Sequence, residues 1–186
     1  MTKILIIQTA FIGDVILSTA LIEKVTKVFP NSKIDFLLRK GNENILDNNP
    51  HLNNILIWNK NNNKYKELFK TLKKIRKRKY DYVFNLQRFF SSGFITVFSK
   101  AKRKYGFKKN PLSIFFTKSY EHIIDPFIEI HEVTRNATLL SEFTTPKICL
   151  PKLYPSENDF EKTKSYKTKK YICIAPASIW FTKQFP

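Results

Sequence analysis

The sequence predicts an α/β fold, a doubly wound and mostly parallel sheet of the Rossmann-like kind, and two observations carry that reading. The segment Lys3 to Lys27 runs from an apolar stretch, Ile4-Leu5-Ile6-Ile7, through Gly13-Asp14 into a helical pattern. That order is strand, tight turn, helix. Further along the chain, apolar runs keep alternating with helical patterns, as βαβ units require.

Each element follows from local pattern. Leu17, Leu21, Val25 and Val28 recur at helical spacing, and Pro30 closes the helix they define. Lys33 to Leu38 reads as a second strand and Ile55 to Trp58 as a third, with a short helix between them over Asn42 to Asn49 that Pro50 ends. Lys64 to Lys79 is an amphipathic helix with Tyr65, Leu68, Phe69, Leu72 and Ile75 on one face. Asp81 to Leu86 is the next strand, Phe90 to Ser99 a helix, and Tyr105-Gly106-Phe107 a brief strand and turn. A helix over Glu129 to Phe143 places Ile130, Val133, Ala137 and Leu140 in register.

Proline density at Pro146, Pro151 and Pro155 then marks a linker, followed by a polar helical segment and a buried strand, Tyr171 to Ala175. This strand restarts the pattern shortly before Pro186. The expectation is an N-terminal lobe over residues 1–145, a linker region over 146–168, and the opening of a second, truncated lobe over 169–186, so that the chain is the N-terminal part of a longer protein.

Composition bounds the class. With 186 residues, 42% of them hydrophobic, the chain can bury one good core. No stretch approaches the roughly 18 uninterrupted apolar residues of a membrane span. Gln8, Gly13 and Asp14 interrupt the first apolar run too early for a signal peptide. Cys149 and Cys173 fit buried free thiols in a reducing compartment, and no zinc ligand spacing occurs. The net charge of +18 favours anionic partners such as nucleic acid, anionic lipid or phosphorylated substrates. Lysine in excess over arginine, with abundant asparagine and isoleucine, is also the pattern of an AT-rich genome. The charge therefore bears on which surfaces the protein approaches more than on one ligand.

The chain has four glycines, and the turn Gln8 to Asp14 holds one of them where a dinucleotide fingerprint needs three. NAD or FAD binding at this turn is thereby disfavoured, and neither a Walker A sequence nor a nucleophile elbow occurs. What remains is Asp14 at the first turn, Arg39 and Lys40 after the second strand, and Gln87 and Arg88 after the fourth. A parallel sheet brings all of these to one edge, so that a carboxylate faces a cleft rimmed with cations. A general base beside anion-binding groups suits transfer of a group to a hydroxyl of an acidic acceptor. Each has a plain structural reading as well: Asp14 as a helix N-cap, Arg39 and Lys40 as a solvated loop.

The run Ile4 to Val25, the segment Tyr80 to Phe107, the His131 and Arg135 pair one helical turn apart, and the stretch from Ile174 to Pro186 together resemble glycosyltransferase family 9, the heptosyltransferases of lipopolysaccharide core assembly. The resemblance covers essentially the whole chain in order. It implies a two-lobed GT-B architecture, with this chain supplying the acceptor-binding lobe and the start of the nucleotide-sugar lobe. It implies Asp14 as the base that deprotonates the acceptor hydroxyl, which attacks the anomeric carbon with inversion. Gly13, Ser178 and Lys183 would bind the donor, and Arg39, Gln87 and Arg88 the acceptor. No metal or cofactor is implied, only a nucleotide-diphosphate sugar such as ADP-heptose as co-substrate.

The implied acceptor is an anionic, lipid-linked saccharide, met in the cytoplasm at the inner face of the membrane, where the basic helix Lys64 to Lys79 would be attracted. The chain departs from the family pattern at Ala10-Phe11, where a hydroxyl pair is usual, and at Ala20, where proline is usual. These departures bear on which sugar is carried. His131 and Arg135 have two readings, orienting a substrate or tying the helix to the sheet. Two other functions compete: a noncatalytic saccharide-binding relative, and a basic nucleic-acid-binding module. Against the second, the 15% of residues that are aromatic sit mostly in apolar strand and helix patterns rather than interleaved with arginine.

Overall fold

The innermost strand of the sheet is the first one in the chain, Lys3–Ile7 (β1), paired in parallel with Lys33–Arg39 (β2) on one side and Tyr82–Asn85 (β4) on the other. Leu52–Trp58 (β3) extends the sheet beyond β2, and Arg103–Phe107 (β5) and Lys118–Tyr120 (β6) extend it beyond β4. The order is β3-β2-β1-β4-β5-β6, parallel throughout. This computed structural model describes residues 1–60, 63–124, 130–145 and 149–174. The doubly wound parallel sheet that the sequence predicts is therefore present.

Its centre explains the apolar run at the start of the chain. Ile4, Leu5, Ile6 and Ile7 are all fully buried, because a central parallel strand is covered on both faces. With the period of two, Ile4 and Ile6 join one core and Leu5 and Ile7 the other. The first core lies under helix Ile12–Val28 (α1), with Val15, Leu21, Ile22 and Val25 packed against Phe36, Phe84, Tyr105 and Phe107. The second lies under helix Lys64–Arg78 (α2) and helix Phe90–Phe98 (α3), through Leu68, Ile75 and Ile95. Each such side chain contributes roughly 1.5–3 kcal/mol relative to exposure.

Several elements differ from expectation for identifiable reasons. The helix expected over Asn42 to Asn49 is a single 3-10 turn, Glu43–Ile45. Strand β3 starts at Leu52 rather than Ile55 because Asn53 and Asn54 each donate an Nδ2 hydrogen bond, at 2.9 Å, to Asp35 on β2. Strand β6 has no hydrophobic run to announce it and exists through pairing with β5. On α2 the apolar stripe is split: Leu68, Leu72 and Ile75 are buried, while Tyr65 and Phe69 stay 71% and 59% exposed. The helix expected over Glu129 to Phe143 is Glu132–Ala137 (α4) continued by a 3-10 turn, Thr138–Leu140, and its expected start at Glu129 lies outside the described residues.

Two units divide the chain, Met1–Tyr154 and Pro155–Pro186. Near the end of the first unit the chain is tied to α1: Lys24 Nζ donates to the Thr145 carbonyl at 2.9 Å, Lys152 N to Thr19 Oγ1 at 2.9 Å, and Tyr154 OH to Glu23 at 2.7 Å. In the second unit, helix Glu157–Lys164 (α5) is capped by Ser156 and buries none of its residues. Tyr171 to Ile174, expected as part of a buried strand, is unpaired and exposed, because no strand of this unit is present among the described residues to pair with it; Ala175 lies outside them. The cysteines are free, but Cys149 is half-buried and Cys173 exposed rather than buried.

Candidate active site

Strand order reverses between β1 and β4, and in open α/β sheets the ligand crevice lies beyond the carboxyl ends of the strands at such a reversal. The turn that follows β1, Gln8 to Asp14, forms its floor. Bonds within the turn and from neighbouring strand ends hold it. Ala10 N donates to Gln8 Oε1 at 3.3 Å, Asn42 Nδ2 donates to the Ala10 carbonyl at 3.0 Å, and Lys60 Nζ donates to the Thr9 carbonyl at 2.8 Å and to Thr9 Oγ1 at 3.2 Å. Two neighbouring strand ends, those of β2 and β3, thus help to fix the turn.

Asp14 is the third residue of α1 rather than its N-cap, which is Phe11. Its Oδ2 reaches back to accept the Phe11 N–H at 3.2 Å, half of a capping box whose other half Phe11 has no side-chain oxygen to supply. The expected N-cap role is corrected accordingly. One oxygen is engaged by the turn, and the group is partly buried, which raises its pKa above the ordinary carboxylate value; the charge of Glu132 pushes the same way and the Phe11 N–H opposes it. Position at a helix N-terminus favours the anion. The result is a positioned carboxylate whose basicity is raised by burial, as a general base requires. Beside it, Gly13 is exposed, with no atom within 4 Å of where a Cβ would stand.

Cations gather along the same edge. Arg39, at the end of β2, lies with its guanidinium 5.2 Å from the centre of the Phe11 ring. Lys60 stands just past β3 with its ammonium 4.7 Å from the Trp58 ring centre. Burial, with the charges of Arg39 and Lys64, lowers its pKa to about 8. Lys60 escaped the sequence reading, although the rule that selected Arg39, a cation directly after a strand, applies to it equally. Its neighbours in a lysine- and asparagine-rich loop concealed it.

Gln87 and Arg88 separate. Arg88 is exposed, its guanidinium 5.7 Å from the Phe89 ring centre, and belongs to the rim. Gln87 is only 6% exposed and lies beneath the crevice, donating its Nε2 to Gln8 Oε1 and accepting from Asn110 Nδ2 at its backbone carbonyl. Among the described residues its Oε1 and the neighbouring Asn85 Nδ2 are buried without a partner, an arrangement that costs free energy unless something else meets them. Ser178 and Lys183 lie outside the described residues. No group of three His, Cys, Asp or Glu placed to hold a metal ion occurs among the described residues.

His131 and Arg135 take structural places. His131 is the N-cap of α4, its Nδ1 accepting the Val133 N–H at 3.2 Å. Arg135 pairs with Glu132 at 2.8 Å and donates to the Ile130 carbonyl. The helix so fixed packs on α1, which carries the Glu132 charge to within reach of Asp14.

Comparison with known proteins identifies the family and matches the fold. The sequence model described as glycosyltransferase family 9 (heptosyltransferase) matches residues 68–186. The lipopolysaccharide heptosyltransferase 3 of Escherichia coli is 30% identical over 136 residues, 69% of this chain and 38% of that protein. Among solved structures, the glycosyl transferase family 9 protein of Veillonella parvula superposes with a TM-score of 0.72 at 17% identity, and the E. coli ADP-heptose LPS heptosyltransferase II with 0.71 at 19%. These cover 90% and 91% of this chain and 51% of either neighbour, so the chain spans about half the length of the structures it matches.

Proposed function

Because the chain belongs to glycosyltransferase family 9, we propose that it supplies the acceptor-binding lobe of an inverting, heptosyltransferase-like sugar transferase in which Asp14 is the catalytic base. The observation that carries this reading is the Asp14 carboxylate itself: fixed by the Phe11 N–H, partly withdrawn from water, and set at the strand-order reversal. The acceptor hydroxyl gives its proton to Asp14 as its oxygen attacks the anomeric carbon of a nucleotide-diphosphate sugar. The bond from that carbon to the diphosphate breaks, and the nucleoside diphosphate leaves with the electron pair. Gly13 leaves the turn open to the donor, and Ser178 and Lys183 offset the charge growing on the leaving group.

ADP-heptose is the donor this reading favours, in line with the name of the E. coli heptosyltransferase II neighbour. Arg39 and Arg88, joined by Lys60, suit an anionic acceptor of the lipopolysaccharide type, met at the inner face of the cytoplasmic membrane. Gln87 acts from beneath, through Gln8 and the turn.

The test is an assay of nucleoside diphosphate release by the chain joined to whatever coding sequence follows Pro186, with a panel of nucleotide sugars and a core-oligosaccharide acceptor. Release that requires both substrates and is lost in Asp14→Asn, with donor binding retained, supports the base. Sugar binding without turnover in the unaltered protein would instead favour a noncatalytic relative.

A further inference from the structure

The outer face of α2 and α3 carries a feature that the first-turn site does not use. Phe69, Phe90 and Phe98 are 59%, 59% and 49% exposed, and all three rings meet Phe94, at centroid distances of 5.7, 6.4 and 4.6 Å. Tyr65, one turn before Phe69, is 71% exposed. Together they make an aromatic ridge about 13 Å long, the length of the nine residues of α3 at 1.5 Å each. On one flank is a groove of about 750 Å³ whose walls include Lys73, Arg76, Lys77 and Lys100. No acidic side chain is among the described residues lining it.

We propose that this face is a membrane-docking surface, with the aromatic ridge entering the interfacial layer of an anionic phospholipid leaflet and the flanking cations meeting its phosphates. Rings beside a belt of lysine and arginine match the two layers of such a leaflet, apolar chain and charged headgroup. A second copy of the chain is disfavoured as occupant, because it would bring a like-charged basic face against this one in a protein of net charge +18. Nucleic acid fits less well because the ridge is a continuous apolar cluster of phenylalanine rings in mutual contact, rather than rings interleaved with arginine. Both helices begin at the edge of the sheet that holds the crevice, α2 after β3 and α3 after β4. If the transferase reading above holds, a leaflet on this face presents a lipid-linked acceptor at the level of Arg88 and the first turn; the docking itself does not depend on that reading.

The experiment is co-sedimentation of the chain with vesicles of phosphatidylcholine alone and of phosphatidylcholine mixed with phosphatidylglycerol, at low and at physiological salt. Binding to the anionic vesicles is expected, about tenfold weaker or more in the double variant Phe69→Ser/Phe90→Ser, and about fivefold weaker for each of Lys73, Arg76 and Lys77 changed to Gln. Circular dichroism of each variant checks that the fold is kept; the altered phenylalanines are exposed. A separate variant, Phe90→Trp, reads insertion directly, since brominated acyl chains quench an indole that enters the leaflet. The proposal is overturned by absence of binding to anionic vesicles. It is overturned equally by binding that the aromatic variant leaves unchanged, by an unquenched Trp at position 90, or by sedimentation showing a dimer that Phe69→Ser/Phe90→Ser dissociates.

Discussion

The ammonium of Lys60 donates a 2.8 Å hydrogen bond to the carbonyl oxygen of Thr9, joining the end of β3 to the turn after β1 across the intervening strand. Asp14 sits five residues beyond that carbonyl, so the lysine acts on the candidate base through the backbone that carries it. In Lys60→Met the amides of Ala10 and Phe11 are expected to exchange hydrogen faster than in the unaltered chain, and amide exchange followed by NMR checks this.

The same lysine imposes a pH dependence of known sign. Its pKa is lowered by burial from 10.5 to about 8 in the folded chain, so between those values the unfolded state binds the extra proton. Stability then rises with pH through that window. Relative to Lys60→Met, the unaltered chain should gain stability from pH 8 to 10.5, by less than the full shift implies because the ammonium is still partly in contact with solvent. Urea unfolding of both proteins across this range is the measurement; parallel curves would show that Lys60 is not desolvated.

Asp14 carries the opposite signature for a carboxylate. Burial raises its folded pKa above 3.8, so its ionised form is disfavoured by folding, and the stability present below pH 3.8 is lost as pH rises through the folded value. Asp14→Asn should therefore melt at a higher temperature than the unaltered chain at pH 7 and at about the same temperature near pH 3. In the active protein the same change should lower turnover by about 10²–10⁴-fold. Stability gained where activity is lost is the mark of a group held for chemistry rather than for folding.

Asp35 makes the contrasting case. Only 3% exposed, it accepts hydrogen bonds from Asn53, Asn54, Arg78 and Tyr80 at 2.9, 2.9, 2.9 and 2.5 Å. It ties β2, β3 and the end of α2 together at the edge of the sheet away from the crevice. Asp35→Ala leaves a guanidinium and a buried phenol without their acceptor and should cost about 3–5 kcal/mol, measured by urea unfolding.

Gly93 supports the crevice from α3. A Cβ there would stand 2.2 Å from Asn110 Oδ1, and Asn110 is the buried side chain that donates to the carbonyls of Gln87 and Phe89. Gly93→Ala should therefore displace Asn110 and destabilise the chain by about 1–3 kcal/mol, seen as a lower melting temperature. Adding Asn110→Gly to make room should recover part of the loss.

Most of the sheet was legible because its signals are local. Four consecutive buried residues at β1, the helical spacing of α1, and Lys64–Arg78 as one helix all follow from neighbours in sequence. The edge that gathers Asp14, Arg39 and Arg88 followed too, since parallel strands put every strand end on the same side. The resemblance named on the motifs is matched by the family that residues 68–186 belong to.

By itself, then, the sequence determined the fold class, the family and the acid at the first turn, because periodicity and motif order are properties of the chain read along its length. Only the tertiary structure decided that Asp14 is a third helical residue rather than an N-cap, that Lys60 grips the turn, that Gln87 lies beneath the crevice, and that Tyr65 and Phe69 face outward. The first is a matter of where the helix begins, and the other three depend on contacts between residues far apart in the chain. A side chain's burial and partners are fixed by what the sheet brings against it, and no local pattern records that.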